Sequence, residues 1–312
     1  MKTFELFAKE IGFNKQVLDN YITFADAYYK SFYITKKDKS KKRQIESPSK
    51  ELKSIQRWVL ANYLNSIPIN NRANGFIKHR GIKRNAQFHL NKSYILTVDI
   101  KDFFPSISQS MVVTALSKHF EDNDFVIKLS KLCTYKRRLP QGAPTSPILS
   151  NIVFKKIDED ITRFCNSKMV TYTRYADDMT FSSDTKNTLH EVYSFLNEIL
   201  IANSFSINKK KTRYLSGKGR MSITGVNIND GRLTVRKEIK RNLRSNIYNL
   251  IVKKDNSISE NSILGYLSFI KDIEPEYYEK EIKYIEKLKM KNKITGANKL
   301  GIKAQLSHRK RQ

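Results

Sequence analysis

Two runs of β-branched and aromatic residues, VTYTRY (170–175) and MTFSS (179–183), are separated only by the tripeptide ADD. That spacing predicts two short strands joined by a tight turn, with Asp177 and Asp178 side by side in it. Taken alone, the tetrapeptide YADD (175–178) fits a solvated hairpin turn as readily as a functional site. Two carboxylates packed together repel, and one takes up a proton unless a cation intervenes. A third acid strengthens that reading. The run SYILTVDI (93–100) is apolar and β-branched, which predicts a buried strand ending at Asp99. Burying its charge unpaired would be costly. If this strand lies beside the hairpin, Asp99 and Asp177 can face each other across two metal ions. Mg²⁺ takes oxygen ligands and keeps some waters, which suits a site shared with a nucleotide's phosphates. Asp102, three residues after Asp99, reads as a loop or cap residue.

The flanking sequence predicts helices around this unit. Near the N-terminus one helix carries Val17, Leu18, Tyr21 and Phe24, and another carries Leu52, Ile55, Trp58 and Val59. Between them KKDKSKKRQIESP (36–48) reads as a basic hairpin, with Pro48 at the next helix start. After Asp99 a helix runs through Val112, Val113, Leu116 and Phe120. Ser146 is expected to cap a second, with Pro147 in its first turn and Ile148, Ile152, Val153, Ile157 and Ile161 as its stripe. A further helix carries Leu189, Val192, Leu196, Ile199 and Leu200. Strand, helix, helix, hairpin, helix is close to the split βαβ arrangement of ferredoxin-like folds. From about residue 231 the pattern becomes all-helical. Its three helices are marked by Ile239, Leu243, Ile247 and Leu250, by Ile263, Leu264, Leu267 and Ile270, and by Ile282, Ile285 and Leu288 after Pro275. The first is expected to expose Arg236, Lys237, Lys240, Arg241 and Arg244. The tail ITGANKLGIKAQLSHRKRQ (294–312) has no periodicity and would order on a partner.

Charge narrows the function. With 58 Lys and Arg against 30 Asp and Glu, the 312-residue chain carries a formal charge of +28. Such an excess repels itself unless a polyanion neutralises it, and counterion release from nucleic acid rewards it. No stretch approaches the roughly 18 apolar residues of a membrane span, so no membrane partner is expected. The N-terminus MKTFELFAKEIGF lacks the pattern of a signal peptide. Cys133 and Cys165 have no ligand-like spacing and read as core residues in a reducing, cytoplasmic compartment.

Five segments in order, TVDIKDFFPSI, LPQGAPTSPILSNIVF, YTRYADDMTFS, SINKKKT and ITGVNIN, resemble the successive motifs of reverse transcriptases over residues 35–230. Within that superfamily the chain is most similar to retron reverse transcriptases. NAQFH (85–89) matches their NAxxH element, and ITG (223–225) stands where that group usually has VTG. The resemblance implies an α+β right-hand polymerase: fingers and a ferredoxin-like palm over 1–230, and a basic helical thumb with a C-terminal tail over 231–312. Asp99, Asp177 and Asp178 match the catalytic, metal-binding carboxylates of the family, and the backbone at Ile100 commonly faces the metal. Two Mg²⁺ ions would lower the pKa of the attacking hydroxyl and stabilise the leaving pyrophosphate. Phe104 matches the aromatic gate that excludes a ribonucleotide's 2′-OH, although Phe103 or Phe104 could equally be core. Gln141 and Gly142 match the loop bordering the incoming dNTP. Arg43 matches an arginine that clamps triphosphate, for which a planar fork of donors is suited. Lys211, in the N-x-x-K-T pattern, matches a general acid for pyrophosphate, with Lys209 and Lys210 as neighbouring alternatives. The ITGVNIN segment resembles the hairpin that grips the primer end, with Gly225 allowing close backbone approach. Asn85 and His89 read as organisers of RNA contacts or of local structure.

The same resemblance implies a cognate structured non-coding RNA serving as template and primer, with synthesis from a guanosine 2′-OH giving a branched RNA-linked single-stranded DNA (msDNA). It also implies an anti-phage defence unit with an effector protein encoded nearby. The segment after residue 231 lacks the acidic cluster of an RNase H domain, so template removal would fall to a separate cellular RNase H. Two other readings remain open: another bacterial reverse transcriptase, of group II intron or diversity-generating type, and a catalytically idle RNA-binding scaffold.

Overall fold

The computed structural model describes residues 2–35, 42–217, 219–255 and 257–292. The expected hairpin tip (36–41) and the C-terminal tail lie outside them. The chain divides into two compact units, one formed by Met1–Gly81 with Lys92–Ser216, the other by Ile82–Asn91 with Gly217–Gln312.

The first unit begins with α1 (Phe4–Ile11) and α2 (Lys15–Thr23), whose N-termini are capped by the side chains of Thr3 and Asn14. Helix α2 buries Leu18 and Ile22, whereas Val17 and Phe24 are 45% and 60% exposed, so the buried stripe is rotated from the expected one. Next comes an antiparallel ribbon of β1 (Tyr29–Thr35) and β2 (Lys42–Pro48). Pro48 closes β2 instead of opening a helix. Ser49 caps α3 (Lys50–Asn62) by accepting from the Leu52 N–H. Helix α4 (Ile82–Gln87) belongs to the second unit.

The chain returns to the first unit with β3 (Tyr94–Asp99), α5 (Phe103–Ser106), α6 (Gln109–Leu116), α7 (Asn123–Cys133), α8 (Ser146–Ser167), β4 (Thr171–Tyr175), β5 (Asp178–Ser183), α9 (Lys186–Ala202) and β6 (Arg213–Ser216). The helix expected to reach Phe120 ends at Leu116, and Phe120 packs against the core beyond it. Ser146 is the first residue of α8, not its cap; Thr145 precedes it, without a side-chain capping bond. The antiparallel sheet has the order β4-β5-β3-β6, the strand order of a ferredoxin-like fold. Alternation along the strands gives it two unlike faces. Leu96, Val98, Tyr172, Met179 and Phe181 join the hydrophobic core, and the intervening positions place Asp99 and Asp178 on the opposite face. Cys133 and Cys165 are both free and buried, and burial pushes each thiol up to about 12.

In the second unit α4 packs on a small sheet of β7 (Ser222–Ile223), β8 (Val226–Asn227) and β9 (Thr234–Val235). Thr224 and Gly225 join β7 to β8 with φ of 46° and 88°, the signs of a type I′ hairpin turn. Asn85 and His89, which belong to this unit, are fully buried. Three helices follow, α10 (Lys237–Ile251), α11 (Glu260–Ile273) and α12 (Pro275–Lys291), with Pro275 opening the last as expected. Two cations of α10 are not free on its surface. Lys240 donates to Glu274 at 2.6 Å and Arg244 pairs at 2.8 Å with fully buried Glu281. Among the described residues no helix is long and apolar enough to cross a membrane.

Candidate active site

The register of the sheet sets one pair of acids. Asp99 at the end of β3 lies directly opposite Asp178 at the start of β5. Asp177 occupies the turn just before, and its carbonyl accepts the Ile100 N–H at 2.9 Å, which ties the turn to the end of β3. Burial, and then the charges of its two neighbours, push Asp178 up to about 7. Asp177 is also raised, by burial first and then by Asp99, while Lys211 and Arg43 pull it back. Asp99 is turned towards cations and amides: its Oδ2 accepts from Lys211 Nζ at 2.7 Å and its Oδ1 from Asn208 Nδ2 at 3.1 Å. Among the described residues no trio of acids, histidines or cysteines is drawn in far enough to hold one ion. Asp99 acts on Asp177, and both act on Asp178, through space.

Asp99 and Asp177 border a cleft of about 740 Å³, within the usual range for small-molecule sites. Arg43, Phe104, Gln141, Gly142 and Lys211 line the same cleft; Asp178 does not border it but lies across from Asp99 on the neighbouring strand, and Asn85, His89 and Gly225 are not among its lining. Of the two consecutive phenylalanines, Phe103 is in the core against Phe154 and Phe205, and Phe104 is half-buried beside Phe76. Of the three lysines 209–211, Lys211 is the one that lines the cleft. Asp102 also borders it, with φ 46°, and its side chain makes no capping bond to α5.

Contacts that sequence reading did not find hold this arrangement. The Glu46 N–H donates to Gln141 O at 3.0 Å and the buried Glu46 carboxylate accepts from Arg138 at 2.8 Å. Together they seat the 139–142 loop on β2. A Cβ at Gly142 would stand 2.6 Å from Glu46 O, so only glycine permits that approach. Asn208 is the asparagine of the N-x-x-K-T pattern; its N–H donates to Asp99 O at 2.8 Å and its side chain reaches the carboxylate. The turn itself is strained. Ala176 has φ 59°, a left-handed conformation that costs a residue with a Cβ about 1–2 kcal/mol. Behind it Gly75 approaches so closely that a Cβ there would meet Ala176 N at 2.7 Å. Arg174, Asp158 and Tyr172 form a fully buried polar cluster next to the turn. An acid between Ile157 and Ile161 on a helix gave no sequence signal of this role.

Comparison with known proteins gives the family and the fold. Residues 34–228 match the family described as reverse transcriptase (RNA-dependent DNA polymerase). The chain is 34% identical over 268 residues to the retron Ec86 reverse transcriptase of Escherichia coli, covering 86% of this chain and 83% of that protein. It is 32% identical to the E. coli retron Ec73 reverse transcriptase over 83% of this chain and 90% of the relative. A third relative, the retron Mx65 reverse transcriptase of Myxococcus xanthus, is 30% identical over 81% of this chain and 63% of its own length. In fold the chain is similar to telomerase from Candida tropicalis, with TM-score 0.53, 14% identity, and coverage of 83% of this chain and 58% of that one. Telomerase from Candida albicans, solved with a fragment of telomeric RNA, gives TM-score 0.52 at 14% identity, over 88% of this chain and 61% of that one. These likenesses bear out the α+β polymerase fold. The chain therefore belongs to the reverse transcriptase (RNA-dependent DNA polymerase) family and is an RNA-directed DNA polymerase of retron type.

Proposed function

We propose that this polymerase copies a cognate structured non-coding RNA into single-stranded DNA, primed from a guanosine 2′-OH, and that Asp99, Asp177 and Asp178 hold its metal ions. The observation that carries the reading is the convergence of these acids at one end of the two central strands, with Asp99 and Asp177 beside a cleft lined by Arg43, Phe104, Gln141 and Lys211. The donor set fits a hard divalent cation. It is all oxygen, and Asp178 stays near 7 even with the Lys211 ammonium close by, so a single lysine does not neutralise the cluster. Two Mg²⁺ ions bound there would activate the primer hydroxyl and bear charge on the departing pyrophosphate.

The chain's own residues supply the rest. Lys211, now paired with Asp99, would be free to face pyrophosphate and give it a proton if Asp99 held a cation instead. Arg43 on β2 clamps the triphosphate, and Gln141 with the close backbone of Gly142 borders the nucleotide. The Phe104 ring fills the space that a 2′-OH would need. Residues 1–230 act as fingers and palm, and 231–312 as a thumb on the nucleic acid. The retron reading extends to a role in an anti-phage unit with an effector protein, with a separate cellular RNase H trimming the template. Sequencing nucleic acid that copurifies with the protein tests the substrate. One short discrete DNA joined to RNA through a 2′ linkage is expected. A heterogeneous set of unlinked DNAs would favour a different bacterial reverse transcriptase.

A further inference from the structure

The turn that carries Asp177 and Asp178 rests on a buried cation. Arg174 and Asp158 are both completely buried. Arg174 Nε and Nη2 donate to the two carboxylate oxygens of Asp158 at 2.9 and 2.6 Å, and Tyr172 Oη donates to Asp158 Oδ1 at 2.7 Å. The guanidinium also lies 4.6 Å from the centre of the Phe154 ring. Its remaining arm, Nη1, donates to Ala176 O at 3.1 Å. That carbonyl belongs to the peptide linking Ala176 to Asp177, and Ala176 is the residue in the left-handed conformation.

Register excludes direct participation in chemistry. Arg174 lies opposite Met179, on the apolar face of the sheet, whereas Asp99 and Asp178 are on the other face. A buried ion pair is a weak source of stability, because apolar residues of similar volume often serve as well. What apolar residues cannot do is hold a carbonyl. The guanidinium is a planar fork whose donors bind a carboxylate bidentately while a third points elsewhere; a lysine is a single point charge.

We propose that Arg174, held by Asp158, is a positioning residue that locks the Ala176–Asp177 peptide and so sets the metal-binding geometry of the turn. This rests on the assignment of Asp177 and Asp178 as metal ligands. Arg174→Lys tests it, because it keeps a charge for Asp158 and gives up the simultaneous hold on Ala176. Mn²⁺ binding, followed by loss of the free-ion electron paramagnetic resonance signal, reads the site without turnover. Affinity for Mn²⁺ is expected to fall about tenfold to a hundredfold, as when partners that orient metal ligands are removed. kcat should fall with it, while RNA affinity and KM for dNTP stay near the parent's. Parental Mn²⁺ affinity and kcat in a folded Arg174→Lys protein would overturn the proposal.

If that variant does not fold, the apolar pair Arg174→Met with Asp158→Leu carries the test, with the same loss of Mn²⁺ affinity expected. Parental Mn²⁺ affinity in the pair, or losses in both variants that only follow the folded fraction, would make the cluster merely structural. Asp177→Asn separates the two readings. If it stays active, the ligand assignment itself fails. If it is inactive while Arg174→Lys behaves as the parent, only the positioning role fails.

Discussion

Replacing Asp178 by asparagine should stabilise the metal-free protein, and the gain should depend on pH. In the fold this carboxylate is pushed up to about 7, by burial first and then by Asp177 and Asp99; its ordinary value is 3.8. A group that is harder to ionise in the folded chain than in the unfolded one penalises folding wherever it is charged. Well below pH 4 the acid is protonated in both states and costs nothing. Between about pH 4 and 7 the unfolded chain releases the proton that the fold keeps, and stability falls. Above about pH 7 the penalty is complete, on the order of 4 kcal/mol as a ceiling. Asparagine never ionises, so its advantage over the parent should open between pH 4 and 7 and then level off. Half of that ceiling, about 2 kcal/mol, would raise the melting temperature by roughly 4–8 °C in a unit of this size. Thermal unfolding in EDTA, without RNA, at a series of pH values measures it. Adding Mg²⁺ should then raise the parent's melting temperature more than the variant's. Identical pH profiles, or a variant less stable than the parent at pH 8, would refute the electrostatic account of the cluster.

Other perturbations probe separate parts of the site. Gly75→Ala puts a Cβ 2.7 Å from Ala176 N and should displace the aspartate turn; overpacking of this kind costs about 1–3 kcal/mol, and polymerisation should fall further than melting does. Phe104→Ala should raise ribonucleotide incorporation relative to deoxyribonucleotide in a competition assay, and an unchanged ratio would move the gate elsewhere. Arg241→Gln should lower the log–log salt slope of RNA binding by about one, since this cation is exposed on α10. Arg244→Gln should instead leave Glu281 buried without its cation and lower the melting temperature by several degrees, the effect of about 3 kcal/mol or more.

Much of the site was legible because its signals are local. The β-branched, apolar runs SYILTVDI and 170–183 marked the strands and put the acids at their ends; which face bears the acids came only with the register. Gly142 and Lys211 could be read from short patterns, and both line the cleft. What escaped depends on partners distant in sequence. Asp158 looks like a solvated acid within a helix until Arg174, sixteen residues away, is packed against it. Lys240 and Arg244 read as an exposed basic face because Glu274 and Glu281 arrive from another helix. Residues Ile82–Asn91 join the second unit although their neighbours on both sides lie in the first, and no local periodicity announces such an exchange. Their burial of Asn85 and His89 favours local structure over direct RNA contact for the NAQFH element. The rotation of α2 was equally invisible, since Val17 and Leu18 are both apolar and only packing decides which is covered.

The most direct test of the whole account is extension of a primer on an RNA template by the purified protein with dNTPs and Mg²⁺. The parent should make DNA, chelation of Mg²⁺ should stop it, and Asp177→Asn with Asp178→Asn should abolish product while leaving RNA binding intact. Undiminished DNA synthesis by that double variant would contradict it.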